Sequence, residues 1–178
     1  MTFERKFTIK EPALIYVTTP VIDMTPAFSI DELALEAVLQ LGSAAHQHNL
    51  AIVGYCIMPS YMQALVAVRE EFDLSEFMYT YKWLSSRAIM CMKLGEFEKK
   101  LQRKGKFKLW MRRYEHLIIS TLDQFKTRLD HIHDDPVRKG LVQKATDWRF
   151  SSAGDWLTQH DGYIEVEKNT IGMQLLKA

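Results

Sequence analysis

The chain has 178 residues, of which 47% are hydrophobic, and it carries 23 basic against 22 acidic side chains, a formal net charge of +1. This length indicates one domain or one domain with an appendage, and the hydrophobic content excludes a disordered chain. No apolar run approaches the roughly 20 residues of a membrane helix, and the first ten residues lack the apolar segment of a signal peptide, so no membrane partner is predicted. Cys56 and Cys91 lie in apolar patterns without CxxC spacing. They are predicted to be buried free thiols of a cytoplasmic protein.

Hydrophobic periodicity predicts four strands and three helices. The predicted elements are, in chain order, a strand over 12–20, a helix over 29–48, strands over 50–58 and 61–68, a helix over 73–92, a strand over 114–120, and a helix that begins after Thr121 and ends at Pro136. Ser29, Asp73 and Thr121 are each followed three residues later by Glu or Gln, which predicts capping boxes. This order indicates the α+β class and a ferredoxin-like β-α-β-β-α-β plan, with an antiparallel sheet, two helices on one face, the other face open, and an additional C-terminal helix. We expect one domain over residues 1–157 and a tail over 158–178.

The second strand of the predicted hairpin begins with two polar side chains on one face. Strand side chains repeat every two residues, so Tyr61 and Gln63 share a face with Leu65 and Ala67. Paired ligands often have this spacing, but a phenol is a poor ligand for a hard cation unless it ionises, at an ordinary pKa of about 10. The alternative is that the phenol and the amide fill a pocket and form a hydrogen bond.

A concentrated positive segment lies between residues 99 and 113. It has eight basic side chains and no acidic one, which leaves 15 basic against 22 acidic groups, a net charge of −7, in the rest of the chain. Basic side chains attract the phosphates of a nucleic acid whatever its base sequence, and interleaved aromatic rings stack on unpaired bases. The predicted DNA-binding residues are Lys104, Lys106, Lys108, Trp110, Arg112 and Arg113, extended by Arg138 and Lys139. The alternatives are a solvated charged loop and, for Trp110, an anchor in the core.

Four stretches resemble, in order and spacing, segments of the single-tyrosine transposases of the HUH superfamily, and in particular their REP-associated branch. They are GYCIMPSYMQALVAV, LWMRRYEHLIIS, LDHIHDDPVRKGLV and DWRFSSAGDWL, within roughly residues 50–157. The resemblance implies a ferredoxin-like fold, a homodimer, and action on single-stranded DNA beside a hairpin. In that family two histidines on a strand hold a divalent metal, Mg²⁺ or Mn²⁺, and a tyrosine on the last helix attacks the phosphate.

This sequence departs from the family's pattern at each catalytic position. Tyr61 and Gln63 stand at the two histidine positions, His131 stands at the tyrosine position, and Asp135 stands one turn later. Gln63 and Asp135 remain as weak candidate metal ligands, and two such ligands seldom hold a metal alone. We therefore expect a protein that binds hairpin or single-stranded DNA without the cutting reaction, and no cofactor unless Mg²⁺ or Mn²⁺ accompanies a retained activity.

Two other interpretations stay open from the sequence. In one, the enzyme is active with exchanged residues: Tyr61 is the nucleophile and His131 a ligand or base, with His116 or His133 as a second histidine. In the other, the chain no longer binds DNA and uses its sheet or its basic segment to hold a protein partner.

Overall fold

The computed structural model describes residues 8–9, 12–68, 72–92, 94–158 and 162–168. The sheet consists of β1 (Ala13–Pro20), β2 (Ala51–Met58), β3 (Tyr61–Val68) and β4 (Glu115–Ile119). The helices are α1 (Asp31–Gln47), α2 (Leu74–Met90), α3 (Leu122–Arg138) and α4 (Ala153–Leu157). Two further pairs of two-residue strands join Thr8–Ile9 to Phe72–Asp73 and Gln102–Arg103 to Lys106–Phe107. The four long strands are antiparallel in the order β2-β3-β1-β4, which confirms the predicted fold class.

The alternation along β3 divides the core into two layers. Met62, Ala64 and Val66 face α1 and α2, whereas Leu65 and Ala67 belong to a second cluster with the apolar stripe of α3. Gly54 on β2 permits the close approach of α3, because a Cβ there would lie 2.7 Å from Cδ1 of Leu129. The expectation of an open second face is therefore wrong: α3 folds back over it and covers the end at which β3 begins.

The ends of the helices correct two sequence predictions. α1 has Ile30 as its N-cap, without a side-chain cap, because Ser29 belongs to a preceding 3₁₀ turn. α3 does begin with a cap from Thr121, which accepts the backbone N–H of Gln124, but it continues through Pro136 to Arg138. Gly140 ends it with φ of 69°, and a Leu141 N–H to Pro136 O hydrogen bond of 2.9 Å completes a Schellman motif.

The two edges of the sheet differ. The outer edge of β2 is covered by C-terminal segments, with hydrogen bonds from Ile57 N to Phe150 O (2.9 Å) and from Glu167 N to Ile52 O (2.8 Å). Within the described part of the chain, no strand pairs with the outer edge of β4. Residues 162–168 thus pack on the sheet, while the predicted division into a domain and a tail stays a prediction.

Both cysteines are free thiols. Cys56 is buried as predicted, but Cys91 is exposed because it follows the last turn of α2. Among the residues that the structure describes, no helix combines the length and the apolar character needed to cross a membrane.

Candidate functional site

The pocket at the start of β3 is built from two strands and one helix. Its centre is the buried carboxylate of Asp135, on the α3 face that meets the sheet. The Tyr61 hydroxyl and the Gln63 amide nitrogen each donate to Oδ2 of Asp135 at 2.6 Å. The Tyr16 hydroxyl on β1 donates to Oε1 of Gln63 at 2.8 Å. The predicted pair of polar side chains therefore meets the predicted Asp135, in a closed hydrogen-bond network.

A guanidinium balances the charge of this carboxylate. Nη2 of Arg138 lies 3.1 Å from Oδ1 of Asp135 and also donates to the backbone carbonyl of His131 at 2.7 Å. Burial, followed by the hydrogen bond to Asp135, raises the pKa of Tyr61 far above its ordinary value. The phenol therefore stays protonated at neutral pH, as a donor to a carboxylate that already has a cationic partner.

The histidines of the sequence hypotheses lie in three different places. His131 shares its helix face with Arg128 and Asp135 and is exposed, and partial burial together with the Arg138 guanidinium lowers its pKa. His133 is buried, with Nε2 2.9 Å from Oγ of Ser152, and burial lowers its pKa to about 4. Because the His133 ring is buried against Ser152, His133 cannot supply a second histidine to the pocket.

His116 lies on the other side of the sheet. It pairs with Val17 across β1 and β4, and Val17 belongs to the layer with α1 and α2. Its ring contacts Tyr114, with centroids 6.0 Å apart. Residues that lie directly opposite each other on paired strands point to the same face, so His116 faces the layer of Val17. The idea that His116 faces the pocket of Tyr61 is therefore wrong.

The basic segment has a defined backbone. Residues Gly95–Leu101 form a 3₁₀ helix, and a tight turn at Lys104 and Gly105, with φ of 52° and 72°, joins the short strand pair that follows. Lys99 is paired with Glu96, and Arg103 is paired with Asp23. The predicted contacts that project into solvent are Lys104, Lys106, Lys108, Arg112 and Arg113.

Trp110 is an anchor of the core. It is 4% exposed, its indole N–H donates to Oγ of Ser85 at 2.9 Å, and its ring lies 5.3 and 5.4 Å from those of Phe28 and Tyr81. Its ring has no free face for a base, so the structure supports the alternative interpretation of this residue. Arg138 is engaged in the pocket, and Lys139 is exposed at the end of α3.

A groove between α2 and the basic segment was not predicted. This α2 groove is bounded by Met78, Tyr79 and Trp83 on the helix, by Phe107 and Leu109 on the segment and by Tyr114 just after it, and has a volume of about 820 Å³. Lys82 joins the two walls of the groove, because its Nζ donates hydrogen bonds to the carbonyls of Met111 (2.9 Å) and Arg112 (3.1 Å). The sequence does contain a signal: Tyr79 and Trp83 lie one turn apart and off the buried stripe of α2.

Two solved structures share this architecture. A REP-associated tyrosine transposase bound to a REP hairpin matches with a TM-score of 0.65 and 16% identity, over 96% of this chain and 94% of that chain. A protein of Deinococcus radiodurans R1 named as a transposase matches with a TM-score of 0.51 and 19% identity, over 72% and 93%. The chain therefore has the fold of this class of transposases.

The sequence comparisons define the family. The family described as "Transposase IS200 like" matches residues 29–134, which is more than half of the chain. A protein of Haemophilus influenzae named as a REP-associated tyrosine transposase is 26% identical over 151 residues, 84% of each chain. The chain belongs to the IS200-like transposase family, in agreement with the resemblance of its motifs.

The divalent metal that the family implies does not fit these residues. The part of the chain that the structure describes contains no group of three His, Cys, Asp or Glu side chains that could hold an ion. Tyr61 is a protonated donor, Oε1 of Gln63 accepts from Tyr16, and Asp135 is compensated by Arg138. Such a donor set is weak for a hard divalent cation, because its carboxylate is already compensated and its phenol and amide are neutral.

Proposed function

We propose that this protein binds hairpin or single-stranded DNA and no longer cuts it. The observation that carries the proposal is the row of exposed cations, Lys104, Lys106, Lys108, Arg112 and Arg113, in a stretch of chain without an acidic residue. Such a row neutralises successive phosphates of a nucleic acid, and the release of counterions makes this binding strong at low salt. Membership of a transposase family agrees with DNA as the ligand.

The chemistry of the pocket supports the proposed loss of cutting. A metal-assisted attack on a phosphate needs a cation that polarises it and a nucleophile that can lose its proton. Here Arg138 compensates the carboxylate, and His131 stands at the position that the motif resemblance gives to the attacking tyrosine. We assign Tyr61, Gln63 and Asp135 to holding α3 on the sheet.

The hydrogen bond between Tyr61 and Asp135 favours a second candidate, a DNA nickase with exchanged residues. In that reaction the Tyr61 oxygen attacks the phosphorus, Asp135 takes the phenolic proton, and the 3′ oxygen of the DNA leaves. The raised pKa of Tyr61 opposes this candidate, because it makes the phenol harder to deprotonate. Incubation of labelled hairpin DNA with Mg²⁺ or Mn²⁺ decides: a covalent adduct that disappears in Tyr61→Phe supports the nickase, and its absence supports binding alone.

We further propose a cytoplasmic homodimer. Among the described residues no strand covers the outer edge of β4, and such an edge with exposed Leu117 and Ile118 supports the pairing because it is suited to joining a second strand. Two free cysteines agree with a reducing compartment. Sedimentation of the wild type and of Leu117→Lys measures the pairing. The added positive charge at the strand edge is expected to weaken it.

Fluorescence anisotropy with a labelled DNA hairpin tests the binding. We expect affinity that falls steeply as salt rises from 50 to 200 mM, about 10³-fold or more if six or more phosphates are contacted. Lys106→Gln with Lys108→Gln should weaken it, whereas the matched change of two exposed lysines elsewhere, Lys126→Gln with Lys144→Gln, should not. Failure of the hairpin to bind at 50 mM salt would reject the proposal.

A further inference from the structure

The α2 groove combines an apolar interior with cations at its rim. Its floor is formed by buried Met78, Leu109 and Trp110. Among the described residues that line it, four are basic, Lys82, Lys108, Arg112 and Arg113, and none is Asp or Glu. A ligand that suits this groove therefore has a flat apolar part and a negative charge.

Two aromatic side chains of the groove are exposed without a role in the core. Tyr79 is 70% exposed and Trp83 is 48% exposed, one turn apart on the same face of α2. The guanidinium carbon of Arg87 lies 5.2 Å from the centroid of the Trp83 ring, so a cation already stacks at this ring. Exposed aromatic rings next to basic side chains are the arrangement on which unpaired bases stack.

The groove is already formed in the protein alone. Lys82 donates to the carbonyls of Met111, Arg112 and Arg113, at 2.9, 3.1 and 3.4 Å, which fixes the segment wall against the helix. Tyr114 reaches across, with its hydroxyl 3.3 Å from Oγ of Ser75. A preformed site loses little conformational entropy when a ligand binds.

We propose that the α2 groove takes unpaired nucleotides of the bound DNA, with bases stacked on Trp83 and Tyr79 and phosphates at Lys108, Arg112 and Arg113. This inference rests on the proposed function, because three cations of the groove, Lys108, Arg112 and Arg113, belong to the proposed DNA-binding segment. It adds a preference that cations alone do not give: an unpaired base is selected over a paired one, since only an unpaired base exposes a ring face.

The test uses DNA hairpins that are identical in length and phosphate number. In one set the nucleotides of the loop and of a single-stranded tail carry bases, and in the other the same positions are abasic. Wild-type protein should bind the first set about 5- to 100-fold more tightly, which corresponds to stacking of one or two bases. Trp83→Ala and Tyr79→Ala should reduce this ratio toward one and leave the affinity for abasic hairpins unchanged. Met90→Ala, an exposed side chain of α2 outside the groove, is the control and should keep the wild-type ratio.

A fluorescent base, 2-aminopurine, placed in the unpaired positions gives a second measurement. Its emission should be quenched by the wild type and by Met90→Ala, and not by Trp83→Ala. Equal affinity of the wild type for both sets of hairpins overturns the groove inference while the proposed function stands. An equal loss for both sets in Trp83→Ala overturns it as well, because stacking acts only on bases. If neither set binds at low salt, both proposals fail.

Discussion

The Tyr61 hydroxyl donates a 2.6 Å hydrogen bond to Oδ2 of Asp135, a residue 74 positions further along the chain. This contact joins the first residue of β3 to the last turns of α3 and places a neutral phenol beside a buried carboxylate. The remaining carboxylate oxygen faces Arg138. The consequences concern metal binding, stability, pH and DNA affinity.

The first prediction concerns divalent cations. Wild-type protein should show no saturable Mn²⁺ binding in a calorimetric titration, because Arg138 already compensates Asp135. The double variant Tyr61→His with Gln63→His should gain one site, since two imidazoles then flank a carboxylate. Adding Asp135→Asn to that variant should weaken the new site. One equivalent of Mn²⁺ on the wild type, lost in Asp135→Asn, would contradict the prediction.

Removing the phenolic hydroxyl should destabilise the fold. Tyr61→Phe takes one donor from the buried carboxylate of Asp135, so its free energy of unfolding should fall by about 1–2 kcal/mol. Tyr79→Phe removes the same group from an exposed ring and should change it by less than about 0.5 kcal/mol. Urea denaturation of both variants measures the difference, and equal effects would show that the hydrogen bond in the pocket contributes nothing.

Acid should weaken the fold through His133. Its pKa in the folded protein is lowered by burial to about 4, against an ordinary value of about 6.5 in the unfolded chain. The unfolded chain therefore takes up this proton first, and the free energy of unfolding falls, by up to about 3 kcal/mol, as the pH drops from about 6.5 to about 4.

The variant His133→Gln isolates this contribution, because an amide can face Ser152 and does not titrate in that range. Its free energy of unfolding should fall less steeply between pH 6.5 and 4 than that of the wild type. His46→Gln changes an exposed histidine and should keep the wild-type slope. Urea denaturation at several pH values gives the slopes, and parallel curves for all three proteins would refute a buried neutral His133.

Trp110 should matter for stability and not for DNA contact. Trp110→Phe removes the hydrogen bond to Ser85 and part of the packing with Phe28 and Tyr81, which should lower the free energy of unfolding by about 1–3 kcal/mol. DNA affinity of the folded variant should stay within about twofold of the wild type in 50 mM salt. A large loss of affinity at unchanged stability would return Trp110 to the DNA-binding surface.

The salt dependence of binding should report how many cations of the basic segment contact phosphates. Each phosphate contact contributes about 0.9 to the slope of log affinity against log salt on duplex DNA. Lys108→Gln and Arg112→Gln should each reduce that slope by about one, whereas Lys126→Gln on the exposed side of α3 should leave it unchanged. Slopes that are the same for all three variants would show that these side chains do not meet phosphates.

The local features of the fold could be predicted because they depend on local rules. The period of two in β3 placed Tyr61 and Gln63 on one face, and the cap at Thr121 marked the start of α3. The end of α3 was mistaken because Pro136 is tolerated in its last turn, and Gly140, with its positive φ, ends the helix instead.

The features that depend on distant residues could not be predicted. The motif resemblance placed Asp135 near Gln63, but it could not show that Arg138 compensates the carboxylate, which depends on how α3 lies on the sheet. The walls of the α2 groove are likewise joined by contacts between distant residues, those from Lys82 to the carbonyls of residues 111–113. Cys91 was placed in the interior because its neighbours are apolar, although it lies just beyond the last turn of α2.

Among the described residues, one edge of the sheet is covered and the other is not, and this difference limits which assemblies the protein can form through its strands. In the described part of the chain, segments around Phe150 and Glu167 cover the side of β2, and only β4 offers an open strand. Two copies that join through β4 consume both open strands, so a third has nowhere to attach. The proposed dimer would in this way be protected from growing into fibres, although Leu117 and Ile118 are exposed in the single chain.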